Sequence, residues 1–184
     1  CNGFNQVYIE QNGKLLPRDE DSYGPDVFAR FVLDFIERNK DRPFFLNLWY
    51  YTVHTPLQAK EELIEHYRAK PKTNQKNATY AAMVHSVDDA VGRVMEKVRA
   101  LGQEENTLVF FYSDNGGPTA ELTSSNLPLR GGKGWLYEGG IRVPLIVVTN
   151  QALQGNMDAA VNAIEALDSI SGAVTRIRVE VLDG

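Results

Sequence analysis

Cysteine is almost missing from this 184-residue chain, which has one, Cys1. An internal disulfide is therefore excluded, while a single thiol leaves the redox compartment open. Positive charge is short as well. Nineteen Lys and Arg stand against 24 Asp and Glu, a net charge of −5, and no basic stripe marks a nucleic-acid-binding face. No apolar run approaches the ~18 residues that a membrane-spanning helix needs. Internal repeats and low-complexity tracts are also lacking. The opening residues CNGFNQVYIE do not read as a signal peptide, so any targeting segment is expected to lie outside this sequence. What is present suits a globular protein, with 43% apolar and 23% charged residues. The length allows one sizeable core, or one domain with a small appendage.

Glycine is abundant in one place. Seven of the 15 glycines fall between Gly116 and Gly140, where two glycine-rich turns follow an apolar run. That run, residues 108–112, reads as a buried strand and ends in Ser113-Asp114-Asn115-Gly116-Gly117. Arg130-Gly131-Gly132-Lys133-Gly134 follows, and Tyr137-Glu138-Gly139-Gly140 leads into a second apolar strand, residues 143–148. Glycine serves where backbone must approach a ligand closely or adopt positive φ. An acid–amide pair at the carboxyl end of a strand suits a hard cation, and a lysine among glycines suits an anion. Taken alone, Asp114-Asn115-Gly116-Gly117 is simply a good turn, and Lys133 a solvated charge. Their order after a strand favours the ligand reading.

Along the chain, residues 6–10 form a short β-like run before the turn signal Asn12-Gly13. Gly24-Pro25-Asp26 opens a helix with Pro25 in its first turn. Val27, Phe28, Phe31, Val32, Phe35 and Ile36 make its apolar stripe, and residues 39–42 end it. Residues 44–51 read as a strand buried on both faces, ending in Thr52-Val53-His54-Thr55-Pro56. A polar, partly helical connection covers residues 57–72. Asn77-Ala78-Thr79 matches a glycosylation acceptor, a triplet that also arises often by chance. The longest helix spans about residues 78–101, with Val84, Val87, Val91, Val94, Val98 and Leu101 along one side and Gly102 closing it. Alternating helices and strands with short joins predict an α/β fold, a mostly parallel sheet with helices on both faces. After Thr149 the composition changes. Residues 1–149 are expected to form this α/β domain, and residues 150–184 a small α+β appendage with a helix near residues 157–167 and a strand at 174–182.

These motifs in this order resemble the sulfatase family of the alkaline-phosphatase-like superfamily. Tyr23-Gly24-Pro25-Asp26, Asp34-Phe35-Ile36-Glu37-Arg38, Arg42-Pro43-Phe44-Phe45, His54-Thr55-Pro56 and Asp88-Asp89-Ala90-Val91-Gly92 carry the likeness. Ser113-Asp114-Asn115-Gly116-Gly117 and Gly132-Lys133-Gly134, followed by Tyr137-Glu138-Gly139-Gly140-Ile141-Arg142-Val143-Pro144, carry it most strongly. The resemblance implies hydrolysis of sulfate esters at a calcium site, by the hydrate of a formylglycine made from a cysteine in a Cys-x-Pro-Ser-Arg type motif. It implies that Asp114 and Asn115 are metal ligands, that His54 binds sulfate and assists the leaving group, and that Lys133 binds a sulfate oxygen. Members of the family are periplasmic, secreted or lysosomal.

The nucleophile motif does not occur in this sequence, since Cys1 is followed by Asn2-Gly3-Phe4. The earlier acidic metal ligands, and a further Lys and His of the family site, are not found either. The sequence therefore reads as a central portion of a sulfatase, about residues 23–148. The last residues weakly resemble the end of an ACT-type regulatory domain. Two alternatives stay open: a phosphoester or phosphonate hydrolase of the same superfamily, and a non-catalytic fusion or binding fragment. His66 and His85 read as structural or exposed. Asp88 and Asp89 point about 100° apart on a helix, which suits surface contacts better than a shared metal, and Glu138 and Arg142 are candidates for a pair that holds the loop. Because nucleophilic catalysis requires a nucleophile, the purified chain is expected to show no sustained aryl-sulfate hydrolysis. Turnover that His54→Ala abolishes would overturn this expectation.

Overall fold

The computed structural model describes residues 10–11, 13–15, 23–71, 76–119, 124–143, 145–148, 154–168 and 173–175. Its elements in order are strands β1 (Glu10–Gln11) and β2 (Lys14–Leu15), helices α1 (Gly24–Asn39), α2 (Glu61–Ala69) and α3 (Ala78–Ala100), strand β3 (Val109–Tyr112), helix α4 (Glu138–Ile141), strand β4 (Leu145–Val148) and helix α5 (Gln154–Glu165). A 3₁₀ turn at Glu104–Asn106 leads into β3. β1 and β2 pair antiparallel, Glu10 opposite Leu15 and Gln11 opposite Lys14.

The helical layer holds the core. Helix α1 starts with Pro25 in its first turn, where the missing N–H would have no helical partner. It buries Val27, Ala29, Val32 and Ile36, while Phe28, Phe31 and Phe35 are only partly covered. At its end the Asn39 carboxamide donates to Phe35 O at 2.7 Å and accepts from Arg42, which stops the helix with paired groups. Helix α3 is capped by Asn77, whose Oδ1 accepts from Tyr80 N–H at 3.0 Å. That contact accounts for an asparagine at the head of the Asn-Ala-Thr triplet. At the other end Gln103 N–H reaches Val98 O at 3.1 Å and Gly102 N–H reaches Arg99 O at 2.9 Å. This is the paired closure that a glycine just past a helix permits.

The valine stripe expected along α3 holds at its end, where Val94, Val98 and Leu101 pack on α1, and needs correction before it. Its buried residues are Ala82, Met83, Ser86, Ala90 and Val98, and Val84 is exposed. The reason lies in its neighbours. α3 packs against both α1 and α2, and Ala82, Ser86 and Ala90 recur every four residues, so they share a face that admits another helix closely. Ser86 satisfies its hydroxyl on Ala82 O at 3.0 Å. Met83 joins Ala59, Ile64 and Ala82 in one cluster, and Val32, Ile36 and Val98 form another. Ile36 and Met83 are fully buried, a burial worth roughly 1.5–3 kcal/mol for each side chain. Asp88 and Asp89 face solvent, as expected. His66 is exposed, and His85 is hydrogen-bonded to Tyr67 Oη at 3.1 Å.

Residues 44–51 are extended but form no strand ladder among the described residues. Phe44, Leu46 and Leu48 pack on α1 and α3, whereas Phe45 and Trp49 are 87% and 78% exposed. The run is thus half-buried with a period of two, not covered on both faces. β3 is likewise exposed at Phe110, Phe111 and Tyr112. It pairs antiparallel with β4, Val109 opposite Val148 and Tyr112 opposite Leu145. The α/β class holds, but the pairing in the described residues is antiparallel where a parallel sheet was expected. Helix α5 lies where the helix near residues 157–167 was placed. The strand expected at 174–182 and the run at 6–10 fall almost wholly outside the described residues.

Ion pairs fasten α1 to its neighbours. Asp26 meets Lys60 of the loop before α2 at 2.7 Å and Arg93 of α3 at 3.4 Å. Glu37 meets Lys40 at 2.8 Å and also Lys97 of α3. Hydrogen bonds from Lys40 and then Lys97 hold the Glu37 carboxyl down to about 2, from an ordinary 4.5. A carboxyl depressed in the folded state stabilises the fold above its ordinary value, and that contribution is lost as pH falls through the folded one. Acid unfolding should therefore steepen between about pH 4.5 and 2, and Glu37→Gln should flatten that part of the profile. An identical profile in the variant would mean that solvent screens the pairs completely.

Candidate functional site

The two glycine-rich turns meet because of strand register. With Tyr112 opposite Leu145, the residues that leave β3 and those that enter β4 emerge at the same end of the sheet. Pairing continues past the ladder, as Gly116 N–H donates to Gly140 O at 3.1 Å. The approach is so close that a Cβ on Gly116 would lie 1.7 Å from Gly139 O. No side chain fits there.

Asn126 locks the arrangement. Its Oδ1 accepts from Gly117 N–H at 3.0 Å. Its Nδ2 donates to Gly117 O at 3.0 Å and to Gly131 O at 3.1 Å. One carboxamide thus joins the turn after β3 to the turn around Lys133. The same Gly117 O accepts from Lys133 N–H at 3.1 Å, and Gly139 N–H donates to Arg130 O at 2.8 Å. Trp135 N–H returns to Gly132 O at 3.0 Å, so Lys133 and Gly134 occupy the two corners of a tight turn. Gly134 takes φ +82° at the second corner, which glycine adopts without the penalty a side chain would carry. Lys133 is left exposed at the first. Asn126 carries no motif of its own. An Asn placed before Leu-Pro hints at a turn, but its partners are visible only in three dimensions.

Of the sequence-derived site residues, the structure brings three into one loop cluster. Asp114 and Asn115 sit at the end of β3, and Lys133 is tied by its own N–H to the turn they begin. Asn115 Nδ2 donates to Gly116 O at 2.9 Å, and Ser113 Oγ donates to Asn115 O at 2.8 Å. Asp114 is exposed. His54 is exposed in the turn after residues 44–51, and its contacts among the described residues are local. Its Nδ1 donates to Thr55 O at 2.8 Å, its N–H to Tyr51 O at 3.0 Å, and its ring lies 5.7 Å from that of Tyr51. No hydrogen bond or ring contact joins it to the loop cluster among those residues. Nor do three or more acidic, His or Cys side chains converge as a metal group there. Glu138 and Arg142, expected as a candidate pair, are linked through main chain, Arg142 N–H to Glu138 O at 2.9 Å. Their side chains form no ion pair among the described residues.

Comparison with known proteins places this arrangement. The family model described as Sulfatase matches residues 2–175. The chain belongs to the sulfatase family. A sulfatase of Formosa agariphila is 35% identical over the whole chain, which spans 35% of that relative. Mouse arylsulfatase J is 38% identical over 67% of the chain and 20% of its own length. The crystal structure of Ps i-CgsB in complex with k-i-k-neocarrahexaose superposes with a TM-score of 0.70 at 37% identity, covering 79% of this chain and 32% of that one. The fold of this sulfatase chain is accordingly alkaline-phosphatase-like, and the chain spans about a third or less of those proteins. The family match runs past residue 150, and nothing in these likenesses supports the ACT-type resemblance of the last residues.

The sulfatase loop cluster makes a direct prediction. Gly116→Ala should force the two turns apart and speed tryptic cleavage after Arg130 and Lys133 severalfold over the parent chain. Gly92→Ala is the control, since a Cβ there meets open space on α3. It should leave cleavage unchanged and raise stability by about 0.5–1 kcal/mol. Equal cleavage of parent and Gly116→Ala would show that the turns are not locked.

Proposed function

We propose that this chain carries the second half of a sulfate-ester hydrolase site, with cation-binding and anion-binding parts set side by side. The observation that carries the reading is the hydrogen bond from Lys133 N–H to Gly117 O, braced by Asn126. It ties an ammonium-bearing turn to the turn that Asp114 and Asn115 begin. The donor set suits a hard cation in part. One carboxylate and one carboxamide oxygen are oxygen ligands of the kind calcium takes, though calcium usually gathers six to eight. A bound calcium would supply a fixed positive charge to sulfate oxygens as negative charge develops on them.

The chain's own groups have separate roles in this reading. Lys133 binds a sulfate oxygen with a point charge held on a rigid corner. With Nδ1–H tied to Thr55 O, His54 leaves Nε2 to contact the sulfate and to pass a proton to the departing alcohol. The likeness to Ps i-CgsB, a structure that holds k-i-k-neocarrahexaose, makes a saccharide sulfate the first substrate to test.

Calorimetric titration of the full chain tests the metal and anion parts together. Calcium alone should bind weakly, on the order of 10⁻³ M, and Asp114→Ala should abolish it. Inorganic sulfate should strengthen calcium binding a few-fold, because an anion on Lys133 removes its repulsion of the cation and the coupling is reciprocal. Lys133→Ala should erase that coupling. Calcium binding that survives Asp114→Ala, or sulfate coupling that survives Lys133→Ala, would sink the assignment.

A further inference from the structure

Beside Lys133 the loop presents three side chains that the sulfate chemistry does not use. The Arg130 guanidinium lies 3.9 Å from the centroid of the Tyr137 ring, and its Nη2 donates to Tyr137 Oη at 3.0 Å. The Trp135 ring stands 5.9 Å from that of Tyr137, tilted by 40°. All three are exposed, Trp135 at 53%. Exposed aromatics usually relax against whatever lies near. Here the backbone beneath them is held: Trp135 N–H to Gly132 O at 3.0 Å, and Gly140 and Ile141 N–H to Tyr137 O at 2.8 and 3.2 Å. The backbone that carries the pair is therefore held, the Arg130 guanidinium covers one face of the Tyr137 ring, and Arg130 keeps further N–H donors beyond the one that Tyr137 engages.

We propose that Arg130, Trp135 and Tyr137 form a subsite for the saccharide of a sulfated oligosaccharide, the ring next to the sulfate ester that Lys133 holds. The inference rests on the sulfate-ester reading of Lys133 and assigns what that reading leaves open. A pyranose offers a C–H face that lies on an aromatic ring, and hydroxyl or sulfate edges that hydrogen-bond a guanidinium. The Trp135 ring, beside a guanidinium stacked on Tyr137, offers both kinds of contact. Charge agrees as well. Arg130, Lys133 and Arg142 are exposed around this loop of a chain whose net charge is −5, with Asp114 and Glu138 as the acidic neighbours. The occupant is thus an anionic sugar.

The chain has two tryptophans, so a Trp49→Phe background leaves Trp135 as the reporter. Titration of that full-length chain with a sulfated carrageenan tetrasaccharide should shift Trp135 fluorescence. The desulfated tetrasaccharide should bind at least several-fold more weakly. Binding followed by calorimetry should weaken about tenfold in Trp135→Ala and much less in Trp135→Phe, which keeps a ring. Arg130→Ala should narrow the preference for the sulfated sugar. Inorganic sulfate should bind Trp135→Ala and Trp135→Phe as it binds the parent, because both keep Lys133 and Arg130. If sulfate binds in a Lys133-dependent way but the tetrasaccharide leaves Trp135 unperturbed, the subsite is wrong while the sulfate-ester reading stands. If the tetrasaccharide perturbs Trp135 and Lys133→Ala changes neither its binding nor that of sulfate, the subsite's connection to the ester is refuted together with that reading.

Discussion

Everything at the loop end of this molecule depends on main chain meeting main chain with nothing between. Gly116 and Gly140 bond directly, Gly117 O accepts from Lys133, and Asn126 closes the gap with a carboxamide that uses both its oxygen and its nitrogen. Such contacts are possible only where Cβ atoms are missing, which explains the concentration of glycine there. Their consequence is chemical. A lysine on a free loop would sample many positions, whereas one whose own N–H is bonded to a neighbouring turn starts from a fixed root. Electrostatic stabilisation needs charges that are already in place, and the glycine contacts supply that condition.

The helical layer serves a different end. Small residues on α3 let α1 and α2 approach, and Ile36, Met83 and Val98 fill the space between them. Pairs from Asp26 and Glu37 cross the helix boundaries, adding orientation more than energy at such exposed positions. Phe44, Leu46 and Leu48 lie on this layer, and their segment leads to the turn that carries His54. The helices thus govern where His54 begins, and the β3–β4 ladder governs where Asp114, Asn115 and Lys133 begin. The candidate site has two supports built by different forces, hydrophobic packing on one side and backbone pairing on the other.

Much of this was legible beforehand, and the residues show why. Pro25 and Gly102 mark helix ends because their backbone geometry is intrinsic. The α/β alternation and the sulfatase likeness were readable because motifs such as Ser113-Asp114-Asn115-Gly116-Gly117 keep their order along the chain. The errors share one cause. The exposed start of the valine stripe at Val84, the double-sided burial of residues 44–51 and the covered state of β3 all treated apolar character as burial. Apolar residues indicate what can be buried, not which neighbour arrives. Ala82, Ser86 and Ala90 are buried because two helices come close, and Phe110 is exposed because no layer covers it among the described residues.

By itself the sequence determined the helix ends, the family and which residues have the chemistry to be candidates for a cation or an oxyanion, since each follows from short-range chemistry or from order along the chain. Strand direction and register, the three bonds of Asn126, and the joining of Lys133 to the Asp114–Asn115 turn were decided only by the tertiary structure. These are relations between residues distant in the chain, and they come from which backbones can approach and still satisfy their hydrogen bonds. A spacing in sequence cannot express that condition.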